Sequence, residues 1–155
     1  MDKTDNYILN VDYKAISHAE KYIESLFRQW SINEIYLGNI VTSFSNLIHL
    51  LLEHQRDGEI DITAQLKNEE FSFKFAGVAV PILKLFLKEH LLQDVLDNTT
   101  QSVFLIQKVA DEISVEGENL ILKFNIGALP EAFLNNRKQS LENYHQNTPQ
   151  KTLND

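Results

Sequence analysis

The sequence predicts an α+β fold, a two-layer α/β sandwich with helices on one face of a mixed, mostly antiparallel sheet. Three observations predict it. Stretches before residue 55 repeat apolar residues at helical spacing, whereas 59–75 and 113–126 alternate apolar and polar residues in paired runs. A further helical zone separates those two pairs. The resulting order, β-α-α-β-β-α-α-β-β, places antiparallel hairpins between helix pairs.

The first element is the β-prone run Tyr7-Ile-Leu-Asn-Val11. Asp12 follows in position to cap a helix whose apolar residues are Ile16, Ala19, Ile23, Phe27 and Trp30. Ser31 and Glu34 make an S-x-x-E capping box, in which each side chain satisfies an otherwise unpaired amide, and so predict the start of a long helix reaching about His54. The stripe Leu37, Val41, Phe44, Ile48 and Leu51 on that helix requires a flat apolar surface. A hairpin supplies one: Ile60, Ile62, Ala64 and Leu66 alternate with polar neighbours, and Phe71, Phe73 and Phe75 do so after the turn at 67–70. Pro81, a good first-turn residue, opens the next helical zone with Ile82, Leu85, Phe86, Leu92 and Leu96, which Asp97-Asn-Thr-Thr100 breaks. Another helix is expected over 101–112. The segments 113–115 and 120–126 then form a second hairpin about the turn at 116–119. Asp61, Thr63, Gln65, Lys123 and Asn125 fall on the opposite sheet face, which is expected to meet solvent.

A chain of 155 residues has room for one core, so residues 1–130 are expected to form a single domain. Residues 131–155 are rich in Asn and Gln and are expected to form a polar, disordered tail, with a short helix possible over Glu131–Arg137. No run of eighteen apolar residues stands out, the first residues lack the order of a secretory signal, and there is no cysteine. A cytoplasmic location without membrane or disulfide is therefore expected. The net charge of -8 opposes the counterion release on which nucleic-acid binding depends, so no nucleic-acid partner is expected either. The five histidines are scattered, and metalloprotease, nucleophile-elbow and Walker motifs are absent; no metal site and no catalytic residue are expected. The carboxylate pairs Asp94/Asp97 and Glu116/Glu118 sit near element ends, where such groups usually serve solubility.

The element order, and the run Ile40-Val-Thr-Ser-Phe-Ser-Asn46 on the long helix, resemble the GHKL superfamily, the Bergerat-type, histidine kinase-like ATPase fold of sensor kinases and anti-sigma factor serine kinases. The resemblance covers about residues 7–127. It implies a nucleotide site in which a helix Glu acts as base and an Asn one turn later holds Mg²⁺; here Thr42 stands at the Glu position and Asn46 is kept. Residues four apart share one helix face, so both can meet one ligand. Thr42 cannot serve as a general base. The family's Asp-x-Gly-x-Gly aligns with Phe75-Ala-Gly-Val-Ala79, where Gly77 alone survives and a Phe replaces the adenine-reading Asp. Its Gly-x-Gly at the last helix aligns with Thr100-Gln-Ser102, so Ser102 or Thr100 would have to hold an anion in place of glycine amides. Thr42, Asn46, Gly77 and Ser102 are thus the remnant of a nucleotide site. The resemblance implies a non-catalytic regulatory protein of anti-sigma-like type, without cofactor, acting on a protein partner or as a homo-oligomer. The alternative is an ATP-binding kinase or ATPase with a reorganised site, using Mg²⁺, Asn46 and a carboxylate such as Glu34 or Glu53. A third reading is a small-molecule sensor with an apolar cavity beside Phe75 and Asn46. In the family, residues 78–96 correspond to a mobile lid; Leu87, Leu91, Leu92 and Leu96 make this stretch more apolar than one helix face needs, so it either packs as core or offers a surface to a partner.

Overall fold

The computed structural model describes residues 2–127. Strand β1 (Lys3–Asn10) leads into helix α1 (Ala15–Gln29), and a 3-10 turn at Glu34–Tyr36 opens helix α2 (Leu37–His54). The hairpin β2 (Glu59–Lys67) and β3 (Glu70–Ala76) follows, then the short helix α3 (Val80–Leu85), helix α4 (Asn98–Val109), and the hairpin β4 (Glu112–Glu116) and β5 (Asn119–Asn125). The sheet order is β1-β2-β3-β5-β4 and every pairing is antiparallel. This is the expected two-layer α+β sandwich.

Register explains the core. Tyr7 lies opposite Ile62, Ile62 opposite Phe75, and Phe75 opposite Leu120. Because side chains alternate along a strand, this lines one apolar series from each of these four strands on a single face and leaves Ile8 and Ile121, opposite Asp61 and Lys74, on the other. Phe44 of α2 packs edge-on against Phe73 and Phe75 at ring distances of 4.8 and 5.2 Å, while Phe71 stacks on Phe73 at 4.5 Å. Phe27 and Trp30, at the end of α1, reach Phe71. On the other face Asp61, Gln65 and Asn125 are exposed, and Thr63 and Lys123 are partly exposed.

By length and composition, Glu34–His54 is long and apolar enough to cross a membrane, which the expectation from the sequence missed. Its apolar side chains have a surface within the fold: Ile40, Phe44, Leu47, Ile48, Leu50 and Leu51 are all buried in the core.

Several boundaries differ from expectation: β1 begins at Lys3 rather than Tyr7, Lys14 rather than Asp12 is the N-cap of α1, with Asp12 accepting from the Lys14 amide, and α4 ends at Val109. Three more have a cause in competing contacts. Ser31 does not cap α2. It has φ +54° and ends α1: the Ile32 amide donates back to the Phe27 carbonyl at 2.9 Å and the Ser31 amide to that of Arg28, a Schellman closure that buries Ile32. Asn33 takes the capping role, its Oδ1 accepting from the Ile35 amide. The zone after Pro81 stops being α-helical at Leu85, because side chains compete for its backbone. Gln107 accepts from the His90 amide and donates to the Lys88 carbonyl, and Asp94 accepts from the Leu91 amide. Finally, Asp97-Asn-Thr-Thr100 starts α4 rather than breaking a helix. The tail expected at 131–155, and its short helix, lie outside the described residues.

Candidate functional site

Helix α2 presents Thr42 and Asn46 one turn apart, as their spacing requires. The Asn46 amide is turned onto its own helix: Nδ2 donates to the Thr42 carbonyl oxygen at 2.9 Å. That bond fixes the side chain and leaves Oδ1 for any ligand. Glu53 lies seven residues further on, roughly 10 Å along the axis, and Glu34 twelve residues back, roughly 18 Å. Neither carboxylate approaches the position from which a base would act beside Asn46.

Gly77 follows β3 with φ +102°, and a Cβ there would come within 2.8 Å of the Glu59 carbonyl oxygen. Glycine is thus required by the neighbouring strand, independently of any ligand. The loop is clamped by Gln55, one residue beyond α2: Nε2 donates to the Gly77 carbonyl at 2.9 Å and Oε1 accepts from the Ala79 amide at 3.0 Å. Phe75, at the position aligned with the adenine-reading Asp, is 1% exposed and packed against Phe44 and Phe73.

Ser102 lies in the second turn of α4 and is buried, so it is not at the helix start. The start is closed by a reciprocal cap. Asp97 Oδ1 accepts from the Thr100 amide at 2.8 Å and from its hydroxyl at 2.9 Å, while Thr100 Oγ1 accepts from the Asp97 amide at 3.2 Å. The Thr100 amide, first among several hydrogen bonds, holds the Asp97 carboxyl below its ordinary value. A phosphate approaching these amides would meet a carboxylate already bound to them. Among the described residues, no hydrogen bond joins Gly77 or Ser102 to Thr42 or Asn46.

Packing α2 against α4 brings together a group that sequence spacing did not reveal, since its members are about 45 residues apart. Thr99 Oγ1 donates to Glu53 Oε1 at 3.1 Å and lies 2.9 Å from His54 Nε2. The hydroxyl has one proton, committed to Glu53, so His54 must donate. This is the wrong direction for a histidine that activates a nucleophile. The cluster ties the end of α2 to the start of α4.

From α3 onward the chain divides its apolar residues. Ile82, Leu83 and Phe86 are buried, but Leu87 is 70% exposed, Leu91 51%, Leu92 74% and Leu96 86%. The backbone beneath them is pinned by Gln107 and Asp94, and His90 Nε2 donates to the Leu85 carbonyl at 3.0 Å. Leu91, Leu92 and Phe104 border a cleft of about 400 Å³, with Glu89 and Lys108 at its edges. A second cleft, of about 510 Å³, lies between the end of α1 and the start of α2 and includes Phe27, Ile32 and Leu37. Neither cleft contains Thr42, Asn46, Gly77 or Ser102. Among known proteins, no family model matches this sequence and no curated protein matches it.

Proposed function

We propose that this chain is a non-catalytic regulatory protein, a degenerate relative of the GHKL ATPases most similar to anti-sigma factor serine kinases, which works in the cytoplasm by binding a protein partner through residues 80–97. The observation that carries this reading is the set of four leucines, Leu87, Leu91, Leu92 and Leu96, held in solvent on a backbone fixed by side-chain hydrogen bonds. Exposed apolar groups concentrated on an ordered segment characterise contact surfaces. Two further features favour it over the nucleotide-binding alternative: Phe75 fills the core where adenine would be read, and Asp97 covers the amides that would receive a phosphate.

Two measurements test the reading. Isothermal titration with ATP and ADP, with and without Mg²⁺, is expected to give no heat at millimolar nucleotide. Saturable Mg²⁺-dependent binding that weakens in Asn46→Ala would replace this reading with the ATP-binding one. Sedimentation and pull-down with the intact chain are expected to show a partner or self-association that Leu92→Asp with Leu96→Asp abolishes. Absence of any association would end the proposal.

A further inference from the structure

We propose that the cleft between the end of α1 and the start of α2 is an intramolecular docking site whose occupant is the stretch Phe133–Lys138 of this same chain. The proposal stands apart from the partner surface at 80–97 and uses different residues. Phe27, Ile32 and Leu37 give the cleft an apolar floor, and Glu24 and Glu34 place two carboxylates at its edge, with Arg28 as one cation among them. Its volume of about 510 Å³ suits a few side chains, within the roughly 300–1,000 Å³ range of sites that enclose small ligands.

Three observations select the occupant. First, the last described residues leave the sheet at the same end of β3 on which the cleft residue Phe27 packs. The Ile126 amide donates to the Glu69 carbonyl at 2.8 Å, Phe124 lies opposite Phe71, and Phe71 contacts Phe27 of the cleft floor at a ring distance of 6.0 Å. Second, 28 residues follow Gly127, and the first six of them can span roughly 20 Å when extended, a reach comparable with the thickness of a helix layer on a sheet. Third, the chemistry is complementary. Phe133 and Leu134 supply two adjacent apolar anchors, and the cations Arg137 and Lys138 follow within five residues. Apolar anchors followed by cations match an apolar floor edged by carboxylates. The short tether favours the chain's own segment over a free competitor by an effective concentration on the order of millimolar. A partner helix of the same pattern, apolar pair then basic pair, would have to displace it.

The absence of native cysteine permits a direct test in the intact protein. Arg28→Cys and Asn136→Cys are combined in one chain, which replaces an exposed side chain of the cleft and leaves both carboxylates and both anchors in place. Mild oxidation of dilute protein is expected to form the disulfide within the chain. Adding Phe133→Ser with Leu134→Ser should slow it roughly tenfold or more, since burial of the two large apolar side chains is then lost. A control pair, Glu89→Cys with Asn136→Cys, reads the other cleft and should close at the slowed rate. Equal rates with and without the anchors would overturn the proposal, as would preferential closure of the control pair or a disulfide formed only between chains.

Discussion

Single side chains in this protein are under unequal constraint, and the constraint follows local geometry more than chemical type. Gly77 holds a left-handed backbone against the Glu59 carbonyl. Gly77→Ala should therefore destabilise the domain by about 1–3 kcal/mol, from strain and overlap together. A denaturant melt giving no loss would show that the loop relaxes freely and that Gln55 does not fix it. Ser43 is the opposite case. It is fully buried in α2 and its hydroxyl has no hydrogen-bond partner among the described residues. Leaving such a group unpaired costs about 1–3 kcal/mol, and alanine is also the better helix former. Ser43→Ala is expected to stabilise the fold by about 1 kcal/mol, read as a higher denaturation midpoint at unchanged slope. A loss of stability would mean that the hydroxyl is satisfied in solution.

The elements are joined by side chains placed at their ends. Gln55 fastens α2 to the loop before α3, Thr99 fastens α2 to α4, and Gln107 fastens α4 to the segment bearing the exposed leucines. The cap at the start of α4 gives these joints a pH dependence. Because the folded state lowers the Asp97 pKa, its contribution is complete above the ordinary carboxyl value of about 4 and is lost as pH falls through the lowered folded value. Asn caps a helix nearly as well as Asp but does not titrate. Asp97→Asn should consequently keep most of the stability at neutral pH and show a smaller fall in melting temperature below about pH 4 than the parent. Parallel acid profiles for the two proteins would remove Asp97 from any role in acid sensitivity.

Across the whole molecule, charge and apolar surface are separated. Over residues 80–108, Lys84, Lys88 and Lys108 balance Glu89, Asp94 and Asp97, so the net charge of -8 resides elsewhere in the chain. The exposed leucines lie within this neutral region. An acidic protein can bring such a surface to an acidic partner, or to its own copy, with little local repulsion. Binding through it should accordingly weaken little between low and high salt, because screening acts mainly on exposed charges. An affinity that drops steeply with ionic strength would point instead to a charged face and away from the leucines.

How much of this was legible in the sequence follows from the range of the interactions. Period-2 alternation at Ile60–Leu66 and Phe71–Phe75, and the 3.6-residue stripe of α2, identified the elements, their facing sides and the two-layer class, because burial of one face is written along a continuous segment. The resemblance likewise pointed to Thr42, Asn46, Gly77 and Ser102 from local alignment alone. What the sequence could not rank was competition. Ser31 has the right type for an N-cap, yet the closure of α1 on Phe27 takes it first. The zone after Pro81 has helical spacing, yet Gln107, some twenty residues away, captures its backbone groups. The Glu53–Thr99–His54 contact, the clamp by Gln55 and the exposure of Leu92 and Leu96 all depend on how separate segments pack. The sequence by itself determined the apolar faces of α2, β2 and β3, since each is set by spacing along one segment. Only the tertiary structure decided which polar groups pair and which apolar ones stay in solvent, since each such choice is settled between segments that meet only after folding.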